Sequence, residues 1–117
     1  MKPKTVADDK LRHAREWLLA RGVELRERSR RARADLGRQR EPLPKDAPDA
    51  AIVLENDEIL AAVDKAARSE LEHIARALQR LDDGVFGVCE TCGADIEDER
   101  LRAVPYATQC RACAREA

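Results

Sequence analysis

Apolar and small residues recur at Leu11, Leu18, Gly22, Leu25, Ser29, Ala32 and Leu36, in steps of three, four and seven that trace a narrow seam along one face of a helix. No proline falls between Asp8 and Arg40, and Ala, Arg, Glu and Leu fill the intervening positions, so the pattern predicts one long helix there. Glu24 with Arg28 and Glu27 with Arg31 add favourable i,i+4 pairs. A cleaner seam runs through Ile52, Ile59 or Leu60, Val63, Ala67, Leu71, Ile74, Leu78 and Leu81 and predicts a second long helix. Asp49 is suited to cap its start, and Asp82, Asp83 and Gly84 to end it. Between the two, Pro42, Pro44 and Pro48 remove backbone donors and force a turn over 41–50.

Two long helices joined by a short turn have chiefly each other to cover their seams. The expected fold is therefore mainly α: a long antiparallel coiled-coil hairpin over residues 1–83, followed by a small cysteine-rich module with a short terminal helix over 84–117. Some 32 residues of helix give an arm about 48 Å long, with the proline-rich turn at its far end. Composition agrees, because aromatic residues are 3% of the chain and charged ones 38%, which leaves no large aromatic core.

The module after Gly84 carries all the metal chemistry. Cys89-Glu-Thr-Cys92 and Cys110-Arg-Ala-Cys113 form two C-x2-C pairs, each able to put two thiolates on one tight turn. Two such turns facing each other supply the four tetrahedral sulfur ligands that Zn²⁺ favours; iron is the alternative that a four-sulfur set leaves open. With every coordination position taken by protein the metal is structural, and hydrolytic catalysis has no site. A thioredoxin-like role lacks its strand and helix context. Phe86, Ile96, Leu101, Val104 and Tyr106 are the residues available for a core around the metal.

Charge is unevenly spread: residues 1–40 hold 13 Lys or Arg against 6 Asp or Glu, and residues 41–117 hold 9 against 17. Such polarity either neutralises internally when the segments pack together or offers surfaces of opposite sign to partners. Seven arginines between Arg26 and Arg40 suggest a nucleic-acid stripe, but aromatic stacking partners are missing, and a solvated face or contacts with acidic walls fits better. Trp17 lies off the seam and is expected to be buried at the base of the arm, with a partner contact as the alternative. His13 and His73 are isolated, so no catalytic constellation is assigned and the chain is read as a non-enzyme. No apolar run reaches membrane-spanning length and the N-terminal stretch lacks a secretory segment, which predicts a cytoplasmic protein without membrane contact.

The stretches Phe86-Gly-Val-Cys-Glu-Thr-Cys-Gly-Ala-Asp-Ile96, Arg100-Leu-Arg-Ala-Val-Pro105 and Cys110-Arg-Ala-Cys113 closely resemble the zinc finger of the DksA/TraR family. That family also places a long coiled-coil hairpin before its finger, inserts it into the secondary channel of bacterial RNA polymerase and alters initiation without specific promoter contacts. The resemblance implies one structural zinc on Cys89, Cys92, Cys110 and Cys113, RNA polymerase as partner and a monomeric regulator. It also implies an acting tip, since Asp46-Ala-Pro-Asp49-Ala-Ala51 matches the family's Asp-x-x-Asp-x-Ala motif in the turn that the prolines locate independently. By chemistry alone, Asp46 and Asp49 read as ordinary turn and cap residues.

Members that respond to ppGpp use basic residues around the finger and on the adjoining helix. Val104, Ala114, His73 and Ala66 stand at the corresponding positions here, which predicts weak or absent ppGpp dependence. The chain also begins close to its first helix, which implies a smaller globular end than in longer members. A nucleic-acid-binding zinc ribbon and a coiled-coil adaptor for another protein are the rival readings.

Overall fold

The computed structural model describes residues 5–37 and 50–116. Four helices follow in order: α1 (Thr5–Gly37), α2 (Ala50–Asp82), α3 (Asp98–Ala103) and α4 (Arg111–Glu116). The two long ones have 33 residues each and pack together antiparallel. Val88 and Asp95 make an isolated antiparallel bridge. The proline-rich turn, with Asp46 and Asp49, lies outside the described residues.

Contacts divide the chain into two compact units, one made of the residues up to Gly22 together with those from Glu72 onward, the other of Val23–Leu71. In the second, the buried positions are Leu25, Ser29 and Ala32 of α1 and Asp64 and Ala67 of α2. Most of these side chains are small, which favours close approach of the helix backbones. The buried Ser29 hydroxyl donates to the Asp64 carboxylate at 2.5 Å, and Arg68 reaches the other carboxylate oxygen at 3.4 Å. Burying Asp64 would be costly without these partners.

The seams are those that periodicity predicts, with corrections at their ends. Ile52 and Ile59 are 56% and 61% exposed, and of the Ile59 and Leu60 alternatives only Leu60 is partly covered. Leu11 and Leu36 are only partly covered, at 37% and 36% exposed. At the other boundary the sequence reading is accurate. Gly84 adopts φ +77°, Val85 N–H donates to the Arg80 carbonyl at 3.0 Å, and Gly84 N–H donates to that of Leu81 at 3.2 Å. This pairing closes a helix C-terminus through a left-handed residue and turns the chain into the cysteine module.

The unit that contains the finger

Leu18 of α1 and Ile74 and Ala77 of α2 are buried in this unit. Ion pairs and a ring contact join its long helices and its finger. Arg15 pairs with Asp82 at 3.0 Å, Lys10 with Asp98 at 3.0 Å, and Arg76 with Glu90. The His73 and Tyr106 rings stack, centroids 5.3 Å apart and planes 9° from parallel. Arg80 donates to the carbonyls of Val85 and Val88, tying the end of α2 to the first strand-like residues of the finger.

Candidate metal centre

The first knuckle is built by backbone geometry. Gly93 N–H donates to the Cys89 carbonyl at 2.9 Å and Cys89 N–H to that of Ala94 at 2.7 Å. This tight return needs Gly93 at φ +80°, a conformation that costs other residues about 1–2 kcal/mol. The second knuckle is the entry to α4, where Ala114 N–H donates to the Cys110 carbonyl at 2.9 Å and carries Cys113 onto the first turn. Side chains then lash the knuckles together. Glu90 N–H donates to the Thr108 carbonyl at 2.8 Å, the Thr108 hydroxyl donates back to the Glu90 carboxylate at 2.9 Å, and Gln109 reaches the Thr91 hydroxyl at 2.9 Å. The Glu97 carboxylate accepts its own backbone N–H and, at 3.1 Å, the Arg111 N–H, and these bonds hold its pKa below the usual carboxylate range.

The result brings Cys89, Cys92, Cys110 and Cys113 together, with all four sulfurs within 4.8 Å of one another. The Cys92 and Cys110 sulfurs are 3.8 Å apart, and a tetrahedron with bonds of about 2.3 Å has edges of about 3.8 Å. Cys89 and Cys110 are buried among Ile96, with Leu101 and Cys113 packed against them. Of the five residues expected in this core, Ile96 is fully buried, and Phe86, Leu101, Val104 and Tyr106 are half-buried.

Electrostatics explain why the cluster needs a cation. Backbone N–H groups of Cys110, Cys92 and Thr91 favour the Cys89 thiolate and draw its pKa down to about 6. Cys92 goes the other way: the Ala94 N–H favours its thiolate, but the neighbouring sulfurs of Cys89 and Cys110 outweigh it and raise its pKa. Cys113 is pushed far up by Cys110, Cys89 and Cys92. One backbone-favoured thiolate surrounded by sulfurs that resist further negative charge is a site a divalent ion completes, since it neutralises the crowding and closes the tetrahedron. No catalytic position remains open.

Trp17 departs from the expectation of burial. It is 42% exposed and lines an open, mainly apolar cleft of about 420 Å³ with Phe86, Leu101 and Pro105, rimmed by Lys10, His13 and Arg102. Periodicity carries no signal for this cleft, because residues from α1 and the finger meet only on folding. The same holds for the His73 and Tyr106 stack. Ala51 lies in the first turn of α2 and is exposed.

A finger closed by four cysteines after two packed long helices defines a class of small zinc-bearing helical-hairpin proteins. A DnaK suppressor protein-like N-terminal domain matches residues 15–81, and the prokaryotic dksA/traR C4-type zinc finger matches residues 84–117. The chain belongs to the DksA/TraR family, and its cysteines form a structural site for one zinc ion.

Among relatives, an uncharacterized protein of Aquifex aeolicus is 33% identical over 73 residues, 62% of this chain and 50% of its own length. The RNA polymerase-binding transcription factor DksA of Escherichia coli is 39% identical over 46 residues, 39% of this chain and 30% of that protein. The chain thus aligns with half or less of the length of these relatives. Among solved structures, transcription factor DksA2 from Pseudomonas aeruginosa superposes with a TM-score of 0.78 at 27% identity, covering 98% of this chain and 89% of that one. The DnaK suppressor protein from Agrobacterium tumefaciens gives 0.60 at 33% identity, covering 99% and 96%.

Proposed function

We propose that this protein is a non-enzymatic transcription regulator that binds bacterial RNA polymerase, its helical hairpin entering the secondary channel and Asp46 and Asp49 acting at the tip beside Ala51. The observation that carries the reading is the joint match of hairpin and finger to one family, with structural likeness over 98% of the chain to a transcription factor of that family. In this reading the zinc holds the finger in shape and does no chemistry, while the carboxylates act. The protein works in the cytoplasm as a monomer, without sequence-specific DNA contact. Among the described residues no helix is long and apolar enough to cross a membrane.

The reading extends to weak ppGpp dependence. Val104 and Ala114 offer no charge, Ala66 is exposed and neutral, and His73 is engaged by Tyr106. A pyrophosphate site needs cations at such positions.

Multi-round transcription from a ribosomal promoter by purified bacterial polymerase tests these points, comparing the protein with Asp49→Asn, with and without ppGpp. The wild type is expected to change transcript yield and Asp49→Asn to bind polymerase with that effect reduced. Strong synergy with ppGpp would refute the reading of Val104 and Ala114, and no effect of the wild type would refute the regulatory role.

A further inference from the structure

The two grooves of the Val23–Leu71 unit differ in charge. One, of about 390 Å³, mixes Glu24, Glu27 and Asp35 with Arg28 and Arg31. The other, of about 660 Å³, is lined by Arg26, Arg30, Arg33 and Arg68 together with Ser29, Ala34 and Leu71, and the carboxylates nearest it, Glu27 and Asp64, are taken up by Arg30 and Arg68. Arg26, Arg30 and Arg33 follow the i, i+4, i+7 spacing that puts them on one face of α1. Helical periodicity thus sorts the arginines of the first helix by face.

Two of the four guanidinium groups are held in place. Glu27 receives Arg30 through two hydrogen bonds, at 3.0 and 2.6 Å. Asp64, itself fixed by the Ser29 hydroxyl at 2.5 Å, receives Arg68 at 3.4 Å. Arg26 and Arg33 make no hydrogen bond or ion pair with other described residues. Arg30 already spends its fork on Glu27 and Arg68 is paired with Asp64, so Arg26 and Arg33 are the forks left to grip planar anions, over a lining that includes Leu71.

We propose that Arg26 and Arg33, flanked by the internally paired Arg30 and Arg68, form a carboxylate-binding cleft that grips an acidic segment of the protein partner. This rests on the polymerase-binding reading and specifies the chemistry of the surface the hairpin meets. Protein carboxylates fit better than a nucleic-acid backbone for two reasons. No aromatic side chain lies within 23–71 to stack a base. The described part of the unit also carries 8 Asp or Glu against 7 Lys or Arg, so it lacks the net positive charge that tracking an extended phosphate backbone calls for, whereas a short carboxylate segment needs only the local arginine cluster.

The experiment measures the affinity of the full-length protein for bacterial polymerase at low and high salt. It compares wild type, Arg26→Gln/Arg33→Gln and, as a charge-matched control in the mixed groove, Arg28→Gln/Arg31→Gln. Unchanged thermal unfolding checks that each variant folds. The cleft variant is expected to bind roughly tenfold more weakly at low salt, the control within roughly twofold of wild type, and the gap to shrink at high salt as exposed charges are screened. Arg26→Lys/Arg33→Lys is expected to fall between, because charge is kept and the fork is lost.

Equal affinity of the cleft variant and wild type, or equal loss in the control, overturns the proposal while leaving polymerase binding intact. Failure of the wild type itself to bind polymerase overturns the parent reading and this one with it. Binding of a DNA oligonucleotide that the cleft variant loses while keeping polymerase affinity reassigns the cleft to phosphates and also overturns the proposal.

Discussion

Between Val85 and Glu116 the helices are six residues long, whereas between Val23 and Leu71 every described residue is helical. The finger buries few large side chains and derives its shape from glycine turns, cross-knuckle hydrogen bonds and four sulfurs grouped to hold a cation. The interior of the helical unit is also thin: Leu25 is its one large fully buried side chain among the described residues, beside Ser29 and Asp64. A short stretch with little apolar mass is stabilised by a ligand, while long helices spread a modest seam over many turns.

Metal removal draws this contrast most sharply. Structural zinc contributes on the order of 10–16 kcal/mol in small fingers, so chelation or Cys110→Ser is expected to unfold the finger. Because α1 and α2 hold 66 of the 78 helical residues among those described, far-ultraviolet circular dichroism should keep most of its helical signal. Loss of more than half of that signal would show that the long helices also depend on the metal. In the helical unit, Leu25→Ala is expected to cost about 2–5 kcal/mol by denaturant unfolding of the zinc-loaded protein, with little change in zinc affinity.

Ser29→Ala probes the buried pair at smaller scale. It leaves Asp64 short of its hydroxyl partner at a cost of about 1–3 kcal/mol, and Ser29→Ala/Asp64→Ala should recover part of the loss. Additive losses in that double variant would remove the pair from the account of helix pairing. Glu27 gives the smallest effect. Hydrogen bonds from Arg30 and then Arg31 lower its pKa from 4.5 to about 2. The depressed value means its contribution is complete above about 4.5 and is lost as pH falls toward 2. A carboxyl titration followed by NMR should therefore place the Glu27 midpoint near 2, and a midpoint near 4.5 would dissolve this surface network.

Periodicity, proline placement and cysteine spacing were sufficient for both long helices, the end at Gly84 and the four metal ligands, because each rests on local geometry: 3.6 residues per turn, a left-handed glycine, two thiolates on one knuckle. Folding decided what those rules leave open. Ile52 and Ile59 match the seam yet face outward, because burial depends on where the partner helix runs. Trp17 lines a cleft because α1 and the finger meet there, His73 stacks on Tyr106 from 33 residues away in sequence, and Arg68 joins three arginines of α1 across the helix pair. Such contacts join positions far apart in the chain, and no local pattern encodes them.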